Sequence, residues 1–229
     1  MSRPEADSRR ILSSLAAHAA CAARSGLRLA ERSRPPEPAT RESLQDIRGE
    51  LGDCRRCGLA AGRTSLVFGN GAAGARLVFV GEAPSPADDA EGRPFCGADG
   101  EMLANIITRV LRLSPADVYY AHLVKCTTPG GRPSAPDEVA TCLPFLLRQL
   151  EAVGPDMVCA LGEAPARALL ASQAPFSELR GRVHAAAGFL IVPTHDPAYL
   201  LQNPEKKRET WDDMLLIERE MTRKAPPRN

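Results

Sequence analysis

The sequence predicts an α/β fold, a three-layer sandwich in which a four-stranded parallel sheet is covered by helices on both faces. Short, almost wholly apolar runs alternate with longer stretches of helical periodicity, which is the pattern of strands buried on both sides and joined by helical crossovers. Glycine and proline cluster where those runs end. At 229 residues and 44% apolar content the chain can fill such a core.

Leu77–Val80 reads as the first strand, a run without a polar residue that stops at Gly81, and residues 102–113 follow as a helix. Residues 118–124 form the second strand, residues 137–153 a long amphipathic helix and Met157–Leu161 the third strand. Glu163–Leu170 is a short helix and residues 189–192 the fourth strand. Asn203 caps a last helix that opens with Pro204 and carries Trp211, Met214, Leu215 and Glu218 at helical spacing. Upstream, residues 6–30 have the period of an amphipathic helix, and residues 31–41 are polar with three prolines. The predicted organisation is a helical, low-complexity extension and linker over residues 1–41 and one domain over residues 42–229.

A net charge of +1 gives no global attraction to nucleic acid or an anionic membrane, so any basic surface must be local. No run is long enough to span a bilayer and no apolar leader opens the chain, which predicts a cytoplasmic protein without membrane partners. Seven cysteines, an odd number, predict thiols that bind metal or stay free rather than disulfides. Cys54 and Cys57 form a C-x2-C pair, and Cys126 and Cys142 lie downstream. Two soft ligands on a short loop plus two distant ones suit a tetrathiolate site for an iron-sulfur cluster or for zinc. Cys21, Cys96 and Cys159 fall outside that set, with Cys159 read as core packing.

In parallel sheets, ligands bind where loops leave the carboxyl ends of the strands. Three such exits carry unusual residues: Gly81–Asp89, continued by Gly92-Arg93-Pro94-Phe95-Cys96-Gly97; His122 shortly before Cys126; and Pro193-Thr194-His195-Asp196-Pro197-Ala198-Tyr199. Together with the cysteines, this order of motifs resembles the family 4 uracil-DNA glycosylases, the iron-sulfur branch found in bacteria and archaea. The resemblance runs from about Cys54 to Trp211. It includes Val67-Phe68-Gly69-Asn70-Gly71, Gly81-Glu82-Ala83-Pro84, Gly92-Arg93-Pro94-Phe95, Lys125-Cys126, Cys142 with Pro144-Phe145-Leu146, and Pro197-Ala198-Tyr199-Leu200-Leu201 before Asn203-Pro204.

The resemblance implies a 4Fe-4S cluster on Cys54, Cys57, Cys126 and Cys142, with zinc as the alternative, and a monomer that acts on DNA containing deaminated bases. It implies that the nucleotide is extruded or taken from single strands, and that the base stacks on Phe95 against Ala83 and Pro84. Glu82, Asp88 and Asp89 would orient water and stabilise positive charge developing on the sugar. Phosphate contact would come from local basic groups, Arg55, Arg56, Lys125, Arg132, Arg180, Arg182 and Lys206 to Arg208, with Leu200 or Leu201 as an apolar wedge.

The chain departs from the family at two positions that matter. His122 stands where relatives carry an Asn that reads the uracil edge, and Asp196 where they carry a His that donates to the base oxygen. Ser85 replaces a glycine, and Gln202 stands where an arginine is common. An amide offers a donor and an acceptor side by side, whereas one imidazole edge offers only one of them. An ionised Asp196 would repel a departing anion, so it helps only if protonated or if it orients His122 or His195. Three readings follow: a glycosylase in which His122 and Asp196 form a swapped pair, an inactive DNA binder, or a covalent trap through His122. The trapping relatives carry their histidine in an inserted loop, and residues 127–133 contain none. A redox-sensing iron-sulfur protein is a further class.

Overall fold

The computed structural model describes residues 42–224. The extension over residues 1–41, with its predicted helix and Cys21, lies outside the described residues. Helix α1 (Leu44–Leu51) opens at Ser43, whose hydroxyl accepts from the Asp46 amide while the Asp46 carboxylate accepts from the Ser43 amide, a reciprocal cap. The strands are β1 (Asn70–Gly71), β2 (Leu77–Gly81), β3 (Tyr119–His122), β4 (Met157–Leu161), β5 (His184–Ala186) and β6 (Phe189–Thr194). The other helices are α2 (Pro86–Glu91), α3 (Ala98–Ile106), α4 (Pro136–Val153), α5 (Glu163–Leu170), α6 (Phe176–Leu179), α7 (Pro197–Gln202) and α8 (Lys207–Lys224).

The sheet order is β1-β3-β2-β4-β6-β5. The four inner strands are parallel, and β1 and β5 pair antiparallel at the two edges. The predicted four-stranded parallel sheet is therefore the core of a six-stranded mixed one. Both added strands are only two or three residues long, too short to show period-2 alternation in the sequence. All of β2 and β4 is buried, and successive residues face opposite layers. Val78, Val80, Val158 and Ala160 pack with Leu146, Leu150 and Leu169 from α4 and α5. Leu77, Phe79, Cys159 and Leu161 pack with Leu103, Met214 and Ile217 from α3 and α8. Two apolar layers back to back explain why these strands contain no polar residue.

The parallel register aligns the strand exits. Gly81 pairs with His122, Val80 with Ala160, and Leu161 with Thr194, so Glu82, Gly162 and His195 leave the sheet side by side. Two segments read as loops are helices instead. In α2, Ser85 is the cap, Pro86 the first helical residue and Asp88 the reciprocal acceptor, so the residue that departs from the family glycine starts a helix. In α7, Asp196 caps through its bond from the Ala198 amide at 2.8 Å and Pro197 follows. The helix expected over residues 102–113 begins earlier, at Ala98, and ends in a π-turn over Ile107–Leu111. Removing the Ser85 hydroxyl should cost about 0.5–2 kcal/mol. Chemical denaturation of Ser85→Ala should show a lower midpoint with an unchanged slope; an unchanged midpoint would mean that the cap does not hold α2.

Candidate active site

A cavity of about 380 Å³ opens at the aligned strand exits, walled by Glu82, Leu161, Gly162, Glu163, Phe176, His195, Asp196 and Tyr199. Glu82 follows β2, Gly162 and Glu163 follow β4, and His195 and Asp196 follow β6. The site thus lies where an open parallel sheet directs its loops.

The three acidic residues of the first motif separate by their hydrogen-bond partners. Asp89 is buried and accepts from the backbone amides of Thr64 and Ser65. Asp88 is 1% exposed and accepts from the Ser85 amide at 3.1 Å, the Cys96 amide at 2.6 Å and the His122 ring at 3.1 Å. Both carboxylates tie loops together, and neither is among the residues that wall this cavity. Only Glu82 faces the opening. One of its oxygens, Oε1, accepts from the Ser134 amide at 2.7 Å, which fixes the side chain.

His122 is buried against Phe95, with ring centroids 4.7 Å apart. Burial pushes its pKa down despite the Asp88 hydrogen bond. Burial also opposes charge on Asp88, but the His122 hydrogen bond and the backbone donors outweigh it and hold that carboxyl below its ordinary value. The pair is therefore a neutral imidazole donating Nε2–H to a carboxylate. His122 Nδ1 is left as a buried acceptor without a partner, facing Gly81, where a Cβ would stand 2.7 Å from it. The carboxylate partner of His122 is Asp88, so the expected pairing of His122 with Asp196 does not form.

Phe95 holds a left-handed backbone, φ 56°, which is sparsely populated for an aromatic residue. Its carbonyl lies against Gly100, where any Cβ would come within 1.8 Å. Phe95 and His122 close on each other, and neither forms a wall of the cavity. Ala83 is partly buried against the cysteine cluster and Pro84 is buried, so the loop after Glu82 packs inward.

The third exit is the most polar. His195 Nε2 is 2.8 Å from Glu209 Oε2, and the ring stacks on Tyr199 at 5.2 Å with its edge toward Phe176. Glu209 also accepts from Lys206 and pairs with Arg180, which reaches Asp213 at 2.8 Å. Thr194 donates to that same Asp213. Glu209 and Asp213 lie one turn apart on α8, so an inward acidic pair at i, i+4 was the signal in the sequence. Asp196 lines the cavity, where burial pushes its pKa up to about 6, partly opposed by the Ala198 amide.

The basic candidates divide in the same way. Arg180 is enclosed by Glu209 and Asp213 and is mostly buried, so it is a structural cation rather than a free phosphate ligand. Lys125 is 1% exposed and donates to the His122 carbonyl at 2.7 Å, which removes it from any DNA surface. Arg132 chelates Glu138, and Arg56 lies over the Phe145 ring. Arg55 pairs with Asp53, Lys206 with Glu209 and Arg208 with Asp212, whereas Arg182 and Lys207 are exposed. Leu200 is fully buried, so of the two wedge candidates only Leu201, 43% exposed, can meet a nucleic acid.

Cys57, Cys126 and Cys142 share one small apolar cluster with Leu59 and Val124, and Cys54 lies three residues from Cys57. Arg63 donates to Cys126 Sγ at 3.1 Å and Arg56 to Cys54 Sγ at 3.3 Å. Two guanidinium groups on sulfur suit ligands that bind as thiolates. Among the described residues, no three ligating side chains stand close enough to hold a single metal ion. No described helix is long and apolar enough to cross a membrane.

Residues 68–215 match the family model described as the uracil DNA glycosylase superfamily. The chain belongs to the uracil-DNA glycosylase superfamily. Its similarity to type-4 uracil-DNA glycosylases extends over most of the domain. It is 32% identical to the one from Saccharolobus solfataricus over 191 residues, covering 80% of this chain and 88% of that protein. It is 37% identical to the one from Thermotoga maritima over 167 residues, covering 72% and 86%, and 33% identical to the one from Archaeoglobus fulgidus over 193 residues, covering 81% and 96%.

Because the pKa of Asp196 is raised in the fold, its stabilising proton is present below the ordinary carboxylate value of 3.8 and lost as pH rises through about 6. Asp196→Asn retains a capping side chain without that loss. The variant should therefore gain about 1–3 kcal/mol over the parent between pH 4 and pH 7. Melting temperatures measured across that range test this; a constant difference between the two proteins would contradict the burial of Asp196.

Proposed function

We propose that this chain hydrolyses the N-glycosidic bond of uracil, or of a related deaminated base, in DNA, the first step of base-excision repair. The observation that carries the reading is the cavity at the strand exits of a superfamily member, with one anchored carboxylate, Glu82, directed into it. The matched relatives are named uracil-DNA glycosylases, and the activity carries over from those names.

A base must leave the duplex stack before its glycosidic bond is accessible. Tyr199 and Phe176 supply flat apolar walls for an extruded base, and exposed Leu201 is placed one turn of chain away to fill the vacated stack. As the bond breaks, both electrons pass to the base and the sugar gains positive charge. Glu82 stabilises that charge and orients the water that adds to the sugar carbon, and the water proton passes to a carboxylate. Asp196, protonated below about pH 6, can donate to the departing anion instead of repelling it. Arg182 and Lys207 are the exposed cations that would neutralise phosphates.

His122 is closed off by Phe95 and Asp88, so it does not supply the amide pair by which relatives of this type would read the uracil edge. Selection should consequently be looser, which supports a substrate range covering several deaminated bases. The same enclosure disfavours His122 as a covalent trap, because its free nitrogen is buried.

Cys54, Cys57, Cys126 and Cys142 are the residues that would hold a 4Fe-4S cluster. The arginine donors on sulfur support an anionic tetrathiolate centre. When bound, the cluster would tie the C-x2-C loop to β3 and α4 and brace the site.

Purified protein tested on oligonucleotides carrying uracil, hypoxanthine or xanthine should leave alkali-labile abasic sites; an intact protein that cleaves none of them overturns the reading. Glu82→Gln should slow single-turnover excision by about 10²–10⁴-fold. Cys126→Ser should lower bound iron and the melting temperature together; preparations with no iron and unchanged stability would remove the cluster from the account.

A further inference from the structure

We propose that the pocket between α3 and α8 is a second contact on the substrate strand, in which Trp211 stacks an unpaired base that flanks the extruded nucleotide while Arg109 and Lys207 neutralise the phosphates beside it. The inference rests on the glycosylase reading for its substrate and extends it to a surface outside the catalytic cavity. An unpaired base belongs to single-stranded DNA, so the pocket favours that form of the substrate.

The pocket has a volume of about 180 Å³, and Met102, Ile106, Val110, Leu200 and Trp211 give it apolar walls. Trp211 is the one tryptophan of the chain. It is 46% exposed, although it stands in a helix whose Met214 and Ile217 are buried in the core. An indole held beside an apolar recess and open to solvent is the form in which proteins stack unpaired bases. Thr210, the preceding residue, also lines the pocket; it is 3% exposed and its Oγ1 has no hydrogen-bond partner among the described residues. Buried polar groups are ordinarily paired, so an unpaired hydroxyl at this wall points to an occupant with a polar edge, as a base has, rather than to a purely apolar one.

The charges favour a nucleic acid over a protein partner. Lys206 and Arg208 are taken by Glu209 and Asp212, whereas Arg109 and Lys207 line the pocket, are exposed and make no ion pair among the described residues. Two unpaired cations beside a flat aromatic face match a base between its phosphates. Leu215, exposed one turn after Trp211, would extend an apolar face for a protein, but it lies outside the pocket wall. The position links the pocket to the catalytic cavity through α7: Tyr199 walls the cavity, Leu200 walls the pocket, and Leu201 follows, exposed. Helix α8 does the same, with Glu209 held to the cavity residue His195 and Trp211 at the pocket. A helix with its side chains is about 10–12 Å across and a stacked strand advances about 3.4 Å per nucleotide, so the base on Trp211 stands about three nucleotides from the one in the cavity.

Because the chain has one tryptophan, indole fluorescence of the full-length protein reports on this pocket alone. Oligothymidylate of about fifteen nucleotides should quench the emission, and duplex DNA of the same length should quench it less. In anisotropy titrations of the labelled strand, Trp211→Ala should weaken binding about tenfold, Trp211→Phe by less, and Leu215→Ala not at all. Arg109→Gln and Lys207→Gln should each lower the slope of log affinity against log salt by about 0.7. In single-turnover excision, the loss caused by Trp211→Ala should appear on strands that extend well beyond the uracil and vanish on strands trimmed to one nucleotide on each side, a dependence that a folding defect does not produce. Emission unmoved by oligothymidylate overturns the subsite, as does an equal loss on long and trimmed strands. A dimer in sedimentation that Trp211→Ala converts to a monomer, with strand affinity unchanged, assigns the face to a second copy of the chain and overturns it as well. A wild-type protein that is quenched by single strands but excises no deaminated base overturns the glycosylase reading and leaves the strand contact standing.

Discussion

The site depends on the parallel pairing of β2, β4 and β6 in one register. Gly81, Leu161 and Thr194 end their strands at the same level, so the next residues of three distant segments meet at one edge of the sheet. Each strand is held by apolar packing on both faces. A slip of one residue would exchange those faces and set side chains fitted to one layer against the other. The register is thus fixed by the core, and the core carries the cavity with it.

On that frame, backbone hydrogen bonding decides what each acidic residue can do. Glu82, Asp88 and Asp89 lie within eight residues of one another, yet two of them are consumed by amide groups that a tight helix start and a neighbouring loop leave without partners. The remaining one is pinned through a single oxygen and keeps its second for chemistry. The same logic applies to cations: Arg180 and Lys125 are drawn into the interior, where each meets a specific acceptor, and the exposed positive groups near the cavity are fewer than a count of lysines and arginines suggests.

Much of this was legible beforehand. The four inner strands announce themselves as apolar runs between helical periods. Helices α2 and α7 read as loops from their glycine and proline content, although Ser85-Pro86 and Asp196-Pro197 carry the cap-then-proline signature of a helix start. The edge strands have too few residues to leave a pattern. Side-chain partners were the least legible: nothing in the order of residues tells that His122 takes Asp88 rather than Asp196, because both carboxylates stand at strand exits and only the pleat and the caps separate them. Leu200 and Leu201 are likewise identical in type, and the turn of α7 alone buries one and exposes the other.

The central claim is that the aligned exits of β2, β4 and β6 form the base-binding pocket. Titration of free uracil, and of a short abasic-site duplex, into isotope-labelled protein tests it directly through amide shifts. The account predicts the largest changes at Glu82, Gly162, His195 and Tyr199, with Phe95 and His122 little affected. Shifts centred on Phe95 and His122 instead, with the cavity residues silent, would contradict it.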